Sequence, residues 1–430
     1  MTTTYPRDVF IVDGARTPFL KARTQPGPFS AVDLAVQAGR ELLARQPFEP
    51  SAFGEVIIGC GAPNENEANI ARIIALRLGC GNAMPAFTVQ RNCASGMQAL
   101  DSAAKDIALG RHEMVLAGGT EAMSLAPLLW NREATTWFSK MSTARALADR
   151  LRLLTELRPR FLSPVIAILK GLTDPVVGVN MGQTAENLAE RFHISREQMD
   201  EFSLTSHQRV LKAQAEQHLK EIVAMIANDG RVFNADDGVR ADSTLAKLST
   251  LQPFFDKKFG QITAGNSSQI TDGAALLILA SANAVQQYQL PVLGKLRDCQ
   301  WAALEPEYMG LGPVFAATPI LQRQKLDMND IDYWEINEAF AAQVLACVAA
   351  WQDDAFCKAA FGTDKAIGTL DQAKLNVDGG AVALGHPVGA SGARIVLHLL
   401  HVLERNNARR GMAAICIGGG QGGAMLVERV

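Results

Sequence analysis

A layered α/β architecture with parallel strands and a duplicated plan is the fold class this sequence predicts. Three observations predict it. Short apolar runs alternate with segments of helical periodicity from Val9 to Gly119, and again from Tyr333 to Gly420. Both stretches pass through the same order of events: Ala94-Ser95-Gly96, a helix, Gly110, a strand and Gly118-Gly119 in one, and Ala390-Ser391-Gly392, a helix, Gly411, a strand and Gly418-Gly419-Gly420 in the other. A duplicated βαβ unit, two similar halves packed together, accounts for the echo. The composition agrees: 430 residues, 48% hydrophobic and 20% charged, suit a globular chain of two or three domains and exclude disordered and fibrous classes.

The elements follow in order. A strand over Val9-Phe10-Ile11-Val12 ends at the turn-rich Asp13–Pro18, and a helix follows from about Ala31 to Arg45, with Leu34, Ala35, Ala38 and Leu42 on one face. Next come a strand at Val56–Cys60, a helix at about Asn69–Leu78, a strand at Phe87-Thr88-Val89 and a helix repeating Met97, Leu100, Ala104 and Ile107. A strand, Met114–Ala117, closes this stretch at Gly118-Gly119. From Trp130 to about Lys170 the chain turns basic and partly amphipathic: Arg132, Lys140, Arg145, Arg150, Arg152, Arg158, Arg160 and Lys170 face only Glu133, Asp149 and Glu156. Two readings stand for this insertion, a helical cover over the core or a partner interface, and a patch resting on an acidic membrane surface. The cover is favoured, because apolar helical stripes ordinarily bury against protein.

After Asp174-Pro175 a long helical region is predicted to about Ile226, with helix starts at Thr184 and at Ser195. The loop Asn234–Gly238 precedes Arg240, and Thr263–Ser268 leads through Asp272-Gly273 into a buried strand at Ala274–Ala280. In the last third, strand-like Tyr333–Ile336 runs into Asn337-Glu338 and a helix, Gly385-His386-Pro387 precedes the second Ala-Ser-Gly, and the strand Ala413–Ile417 ends in the three glycines.

A net charge of −3 gives no basic surface for a nucleic-acid backbone. Seven cysteines without C-x-x-C spacing argue against a disulfide framework or a zinc site. The polar start, Met1–Arg7, carries no secretory pattern, and no apolar run approaches the roughly 18–20 residues of a membrane span. The expectation is a cytoplasmic protein.

Cys93 sits where a strand gives way to a helix. Free N–H groups and the positive end of the helix dipole favour a thiolate there, so a depressed thiol pKa and a nucleophilic role are expected; a small buried core cysteine fits the same stretch. His386 alone among the seven histidines lies on a loop among glycines, and is either a base or a histidine hydrogen-bonded in its turn. Cys416 precedes glycines whose N–H groups can form an anion nest, although by itself it reads as structural. Asn337 is suited to orient a water or a substrate oxygen and Glu338 to fix a neighbour, unless either caps a helix. No His/Cys cluster has metal spacing, and there is neither a P-loop nor a G-x-G-x-x-G motif.

Taken together the motifs resemble those of the thiolases, which cleave or form the carbon–carbon bond of 3-ketoacyl-CoA. The resemblance covers nearly the whole chain and rests on Asn92–Gly96, Gly118–Ser124, Asn337–Ala341, Asn376–Ala381 with Gly385-His386-Pro387, and Cys416–Gly420. It implies a five-layer αβαβα fold of two duplicated halves: residues 1–125 with 263–285, an inserted and mainly helical loop domain at 126–262, and residues 286–430. It also implies roles. Cys93 attacks the 3-keto carbon after His386 takes its proton, and Cys416 protonates the departing acetyl-CoA enolate and then deprotonates incoming CoA. His386 with a water on Asn337 forms one oxyanion hole, and the N–H groups of Cys93 and Gly418 form the other.

By the same resemblance Arg240 lies near the nucleotide of CoA, Ser268 near the pantetheine, and Met181 and Met309 along the acyl or pantetheine wall. Coenzyme A is a co-substrate, and no tightly bound cofactor or metal is implied. The protein should form a homodimer or a dimer of dimers. Asn180, Asp378 and Ala390 depart from common family residues without touching the bond-making groups. The basic insertion looks like that of β-subunits in fatty-acid oxidation complexes, which implies degradative thiolysis of medium to long chains and a hydratase/dehydrogenase partner subunit; peripheral membrane contact is the separate expectation from its basic, amphipathic character. A biosynthetic acetyl-CoA acetyltransferase is the nearest alternative. A condensing ketosynthase fits less well, because that group uses a second histidine where this chain has Cys416. A catalytically silent CoA- or lipid-binding relative should lack Cys93, His386 or Cys416, and all three are present.

Overall fold

The computed structural model describes residues 5–430, so the first residues of the polar start, Met1–Thr4, lie outside it. In chain order the first half contributes β1 (Val9–Arg16), α1 (Ala31–Ala44), β2 (Glu55–Gly59), α2 (Ile70–Arg77), β3 (Ala86–Val89), α3 (Ser95–Ala108) and β4 (Met114–Ala122). The insertion holds α4 (Arg132–Thr143), α5 (Leu147–Thr155), α6 (Ala167–Gly171), α7 (Met181–Arg191) and α8 (Arg196–Ala215). The chain then returns through β5 (Thr271–Ser281) to β6 (Gly294–Ala303), α9 (Gly312–Gln324), β7 (Tyr333–Ile336), α10 (Ala341–Gln352), α11 (Val388–Arg405), β8 (Arg410–Ile417) and β9 (Gln421–Glu428).

The hydrogen-bonded strand order is β7-β8-β9-β6-β1-β5-β4-β2-β3, with the short strand Leu20–Lys21 on β5. Each half repeats one pattern. In the first, β2 lies parallel between β3 and β4, while β5 and β1 run antiparallel. In the second, β7 lies parallel to β8, bridges in parallel to Leu375, and continues to antiparallel β9 and β6. The register slips at matching places, between Ile11 and Asp13 in β1 and between Leu296 and Asp298 in β6. Each slip frees an aspartate. Asp13 accepts from Arg45 (2.7 and 2.8 Å) and Gln46 (2.6 Å), and Asp298 accepts from Arg323 (2.8 and 2.8 Å) and Gln324 (2.6 Å). An Arg-Gln pair at the end of an outer helix therefore pins the same bulge in both halves.

Five layers result. Leu34, Leu42 and Ile74 of α1 and α2 pack on Ile58, Leu116 and Ile278; Val314, Ile320, Val344 and Trp351 of α9 and α10 pack on Ile336, Ala414 and Leu426. Between the two halves of this strand array lie α3 and α11, whose Met97, Leu100, Ile395 and Leu399 share a cluster with Ile57, Leu277, Ile415 and Met425. Alternation along each strand feeds two layers, one side chain outward and the next inward. The two central helices approach through glycines. A Cβ at Gly96 would lie 2.7 Å from the Gly389 carbonyl oxygen and 3.0 Å from Ala393 N, and one at Gly392 would lie 2.7 Å from Met97 N.

The insertion is tied to both halves by buried charges. Arg16 makes a bidentate pair with Asp236 (2.7 and 2.9 Å) and reaches Glu221 at 3.2 Å, and Glu221 faces His398 Nδ1 of α11 at 3.0 Å. Burial alone would lower the His398 pKa, but Glu221 and Asp378 lift it to about 10, so the imidazole is a cation in the fold.

Several sequence expectations need correction. The first strand runs on to Arg16, the bulge letting it continue past Asp13. The helix expected to start at Thr184 starts at Met181, because Asn180 and Gln183 form a capping box; Ser195 and Gln198 form the other one expected. The helical region stops at Ala215, Gln217 has φ +55°, and Met225–Ile226 pairs with Val232–Phe233 instead. The helix of the second Ala-Ser-Gly begins earlier, at Val388. The favoured cover over the core is also overturned. Trp137, Ala134 and Phe161 form a small cluster of their own, while Leu147, Leu151, Leu154 and Leu162 stay 73, 55, 55 and 67% exposed. No helix among the described residues is long and apolar enough to cross a membrane.

The close crossing of α3 and α11 makes a direct prediction. Gly96→Ala should destabilise the protein by about 1–3 kcal/mol, since two main chains must separate to admit one methyl. Gly171→Ala, with nothing within 4 Å of the added carbon, should be near neutral in the same urea-unfolding measurement.

Candidate active site

Cys93 and Asn337 lie just beyond the ends of β3 and β7, Cys416 is the penultimate residue of β8, and His386 lies in the turn before α11. Cys93 follows β3 and precedes Ala94, the N-cap of α3. Ser95 shapes its turn, accepting from Arg91 N (2.9 Å) and donating to the Asn92 carbonyl (2.7 Å). Asn92, at φ +43°, sends its Nδ2 across to the Gly418 carbonyl at 2.9 Å. Cys93 is half-buried and borders an apolar cavity of about 390 Å³.

Its thiol pKa is raised, not lowered as expected from the helix end. Burial penalises the thiolate most, and the N–H of Gly418 and the residue's own N–H only partly offset that. Cys93 therefore rests as a thiol and needs a base.

His386 lies buried between Gly385, at φ +98°, and Pro387, held by its N–H on the Gln269 carbonyl at 3.0 Å. Its Nδ1 is 2.6 Å from Ser391 Oγ, which in turn donates to the Pro387 carbonyl at 3.1 Å. The serine proton is thus committed, so Nδ1–H donates to Ser391 and Nε2 keeps its lone pair. Asn337 Nδ2 stands 3.5 Å from that Nε2. Burial, with the Arg394 charge nearby, holds the His386 pKa to about 4, so the ring is neutral at physiological pH and able to take a proton. Asn337 is buried at the end of β7, its N–H on the Ala414 carbonyl (2.9 Å), and its Oδ1 has no partner.

Cys416 is fully buried near the end of β8, and its thiol is pushed well up by burial and then by the charge of Cys93. The glycines after it turn the chain into β9, with φ of +91° at Gly419 and +74° at Gly420. Gly418 and Gly419 border the cavity along with Cys93 and Met181.

His386, Asn337 and Cys416 do not line this cavity, nor do the further candidates Met309, Arg240 and Ser268. Met309 is buried in the core cluster that also holds Cys416, and Arg240 and Ser268 are half-buried, Arg240 N donating to His207 Nδ1 (3.2 Å) and Ser268 N to the Ala339 carbonyl (2.9 Å). Glu338 does fix neighbours, accepting from Ser206 Oγ (2.7 Å), Asn376 Nδ2 (2.8 Å) and Val382 N (3.1 Å).

Two residues escaped the sequence reading. Ser391 sets the His386 tautomer, and its signal was the echo of Ser95, which shapes the matching turn. Glu121, buried at the cavity, accepts from Gly61 N (2.8 Å), Ala62 N (2.9 Å) and Gly389 N (2.9 Å), tying the loop after β2 to the start of α11. Its signal was a carboxylate at the end of an otherwise apolar strand.

A thiol under a main-chain N–H, a neutral imidazole with a free lone pair and a second buried thiol are the parts of a thiol-dependent acyltransferase centre. Comparison with known proteins gives the lineage. Models of the thiolase N-terminal and C-terminal domains match residues 9–283 and 290–429. The chain belongs to the thiolase family. It is 36% identical over 431 residues to a 3-ketoacyl-CoA thiolase of Serratia proteamaculans, covering 100% of this chain and 98% of the relative. A 3-ketoacyl-CoA thiolase of Yersinia pestis is 35% identical, with 98% and 96% covered. Among solved structures, human mitochondrial 3-ketoacyl-CoA thiolase in complex with CoA superposes with a TM-score of 0.85 at 33% identity, over 99% of each chain. The acetyl-CoA acetyltransferase of Bacillus anthracis superposes at 0.84 with 35% identity, over 99% of this chain and 100% of that one.

Proposed function

We propose that this chain is a 3-ketoacyl-CoA thiolase of fatty-acid β-oxidation, acting through an acyl thioester on Cys93. His386 Nε2 takes the Cys93 proton, and the sulfur attacks the 3-keto carbon. The carbonyl oxygen gains the negative charge beside the Cys93 and Gly418 N–H groups. When the carbon–carbon bond breaks, its electron pair leaves as the acetyl-CoA enolate, stabilised by protonated His386 and a water held by Asn337. Cys416 protonates the enolate carbon. The Cys416 thiolate then takes the thiol proton of incoming CoA, whose sulfur attacks the acyl group. The shortened acyl-CoA departs, and Cys93 recovers its proton from His386. Coenzyme A enters as a substrate.

The observation that carries this reading is geometric: Cys93 borders the cavity beside the Gly418 turn, and His386 is held with Nδ1 2.6 Å from Ser391 Oγ and Nε2 3.5 Å from Asn337 Nδ2. The apolar cavity beside Cys93, walled by Met123, Pro127, Ala167, Ile168 and Leu172, supports acyl chains longer than acetoacetyl. Thiolysis with free CoA across 3-ketoacyl lengths tests both points. Activity should extend well past acetoacetyl-CoA, and Cys93→Ala should lose at least about a thousandfold in kcat. Activity confined to acetoacetyl-CoA would favour the biosynthetic acetyltransferase, and thiolysis surviving in Cys93→Ala would end the proposal.

A homodimer belongs to this reading, because β3 closes the sheet with one unpaired edge and Phe87 is 37% exposed there. Light scattering should give the mass of at least two chains; a single-chain mass contradicts it. A cytoplasmic location fits seven free cysteines. The insertion is read as a docking surface for an anionic lipid bilayer, since its exposed leucines lie among a strong excess of Arg and Lys. Co-sedimentation with anionic vesicles should be salt-sensitive and lost in L151D/L154D. Capture of a hydratase/dehydrogenase subunit by this surface without vesicle binding would reassign it to a partner.

A further inference from the structure

The residue before Cys93 satisfies two demands that few side chains meet together. Asn92 sits at φ +43°, a region that glycine and asparagine adopt more readily than most residues, and its Nδ2 donates to the Gly418 carbonyl at 2.9 Å. Glycine would relax the backbone but reach nothing. Aspartate would set a carboxylate against a carbonyl. Asparagine tolerates the backbone and supplies the donor on a side chain short enough to reach it.

The turn it grips has little to hold itself. Gly418, Gly419 and Gly420 carry no side chains, and the last two lie at φ +91° and +74°. Leu304 N holds the Gly420 carbonyl at 2.8 Å, and Asn92 holds the Gly418 carbonyl. Arg91 reaches the same hairpin, its Nη1 on Gln421 Oε1 at 3.1 Å and its guanidinium carbon 4.2 Å from the Trp301 ring centre. Two consecutive residues of the first half's nucleophile turn thus staple it to the second half.

We propose that Asn92 is a positioning residue that clamps the Cys93 turn and the Gly418 turn into one unit, so that the Gly418 N–H stays aimed at the reacting sulfur and its oxyanion. The proposal rests on the thiolase reading of Cys93. It also explains why backbone strain persists at position 92: the side chain that the strain orients is the link between the halves.

The test compares Asn92→Gly and Asn92→Asp with the intact enzyme in kcat, KM, melting temperature and the pH midpoint of Cys93 alkylation by iodoacetamide. In Asn92→Gly, loss of one hydrogen bond and relief of the strained φ oppose each other, so melting should stay close to that of the parent. Its kcat should fall roughly ten- to hundredfold, as for a displaced oxyanion donor, with KM for CoA changed less than about threefold. The parent's alkylation midpoint should lie above the ordinary cysteine value of about 8.5, and the variant's higher still, because the Gly418 N–H no longer supports the thiolate. Asn92→Asp should lose at least as much activity.

Parental kcat and an unchanged alkylation midpoint in Asn92→Gly would overturn the proposal. Melting well below the parent would also overturn it, by making the role of Asn92 structural. Alkylation needs no turnover, so it reports on the clamp whether or not thiolysis is the reaction. Thiolysis surviving in Cys93→Ala would instead sink the functional reading.

Discussion

The close crossing of the two central helices is the constraint on which the site depends. Gly96 in α3 faces the Gly389 carbonyl and Ala393 N of α11, while Gly392 faces Met97 N, so each helix meets the other's main chain near its own N-terminus. Main chain against main chain leaves no room for adjustment. Cys93 lies three residues before Gly96, and His386 three residues before Gly389, the two sides of the first of these contacts. Packing of the middle layer therefore brings the two reactive turns to the same end of the helix pair. Glu121 adds a lock by holding Gly389 N and the loop after β2 together.

Duplication supplies the frame, and divergence supplies the chemistry. The strand order, the two bulges and the Arg-Gln pairs on Asp13 and Asp298 repeat from half to half. Ser95 and Ser391 also repeat. One stabilises the turn that offers a thiol, and the other fixes the tautomer of an imidazole. Equivalent scaffolding thus presents unlike groups, and the donor turn at Gly418 completes what the first half begins.

Much of this was legible in the sequence. The Ala-Ser-Gly echo marked both central helices, because close helix approach demands small residues that stand out in an apolar pattern. Cys93, Asn337 and Cys416 were marked by their place at strand ends, His386 by its turn among glycines, and the role of Gly418 by the family resemblance. Other features depend on tertiary context. The strands β6 and β9 went unread, since β6 carries Lys295, Arg297 and Asp298, and β9 opens on Gln421-Gly422-Gly423. Periodicity showed that the insertion has an apolar face, but not what covers it, and most of its leucines face solvent. The sign of the Cys93 shift was missed for a similar reason: a helix start is visible in sequence, whereas the burial that outweighs it is not.

On the proposed mechanism, with Cys93 a thiol and His386 neutral at rest, attack begins with proton transfer from one to the other, and the first stable product is an acyl group on Cys93. Peptide mass mapping after exposure to a 3-ketoacyl-CoA without free CoA tests this most directly. The account predicts the shortened acyl group on the Cys93 peptide, released by adding CoA. An adduct on Cys416 with Cys93 unmodified, or acetyl-CoA formed with no adduct on Cys93, would contradict it.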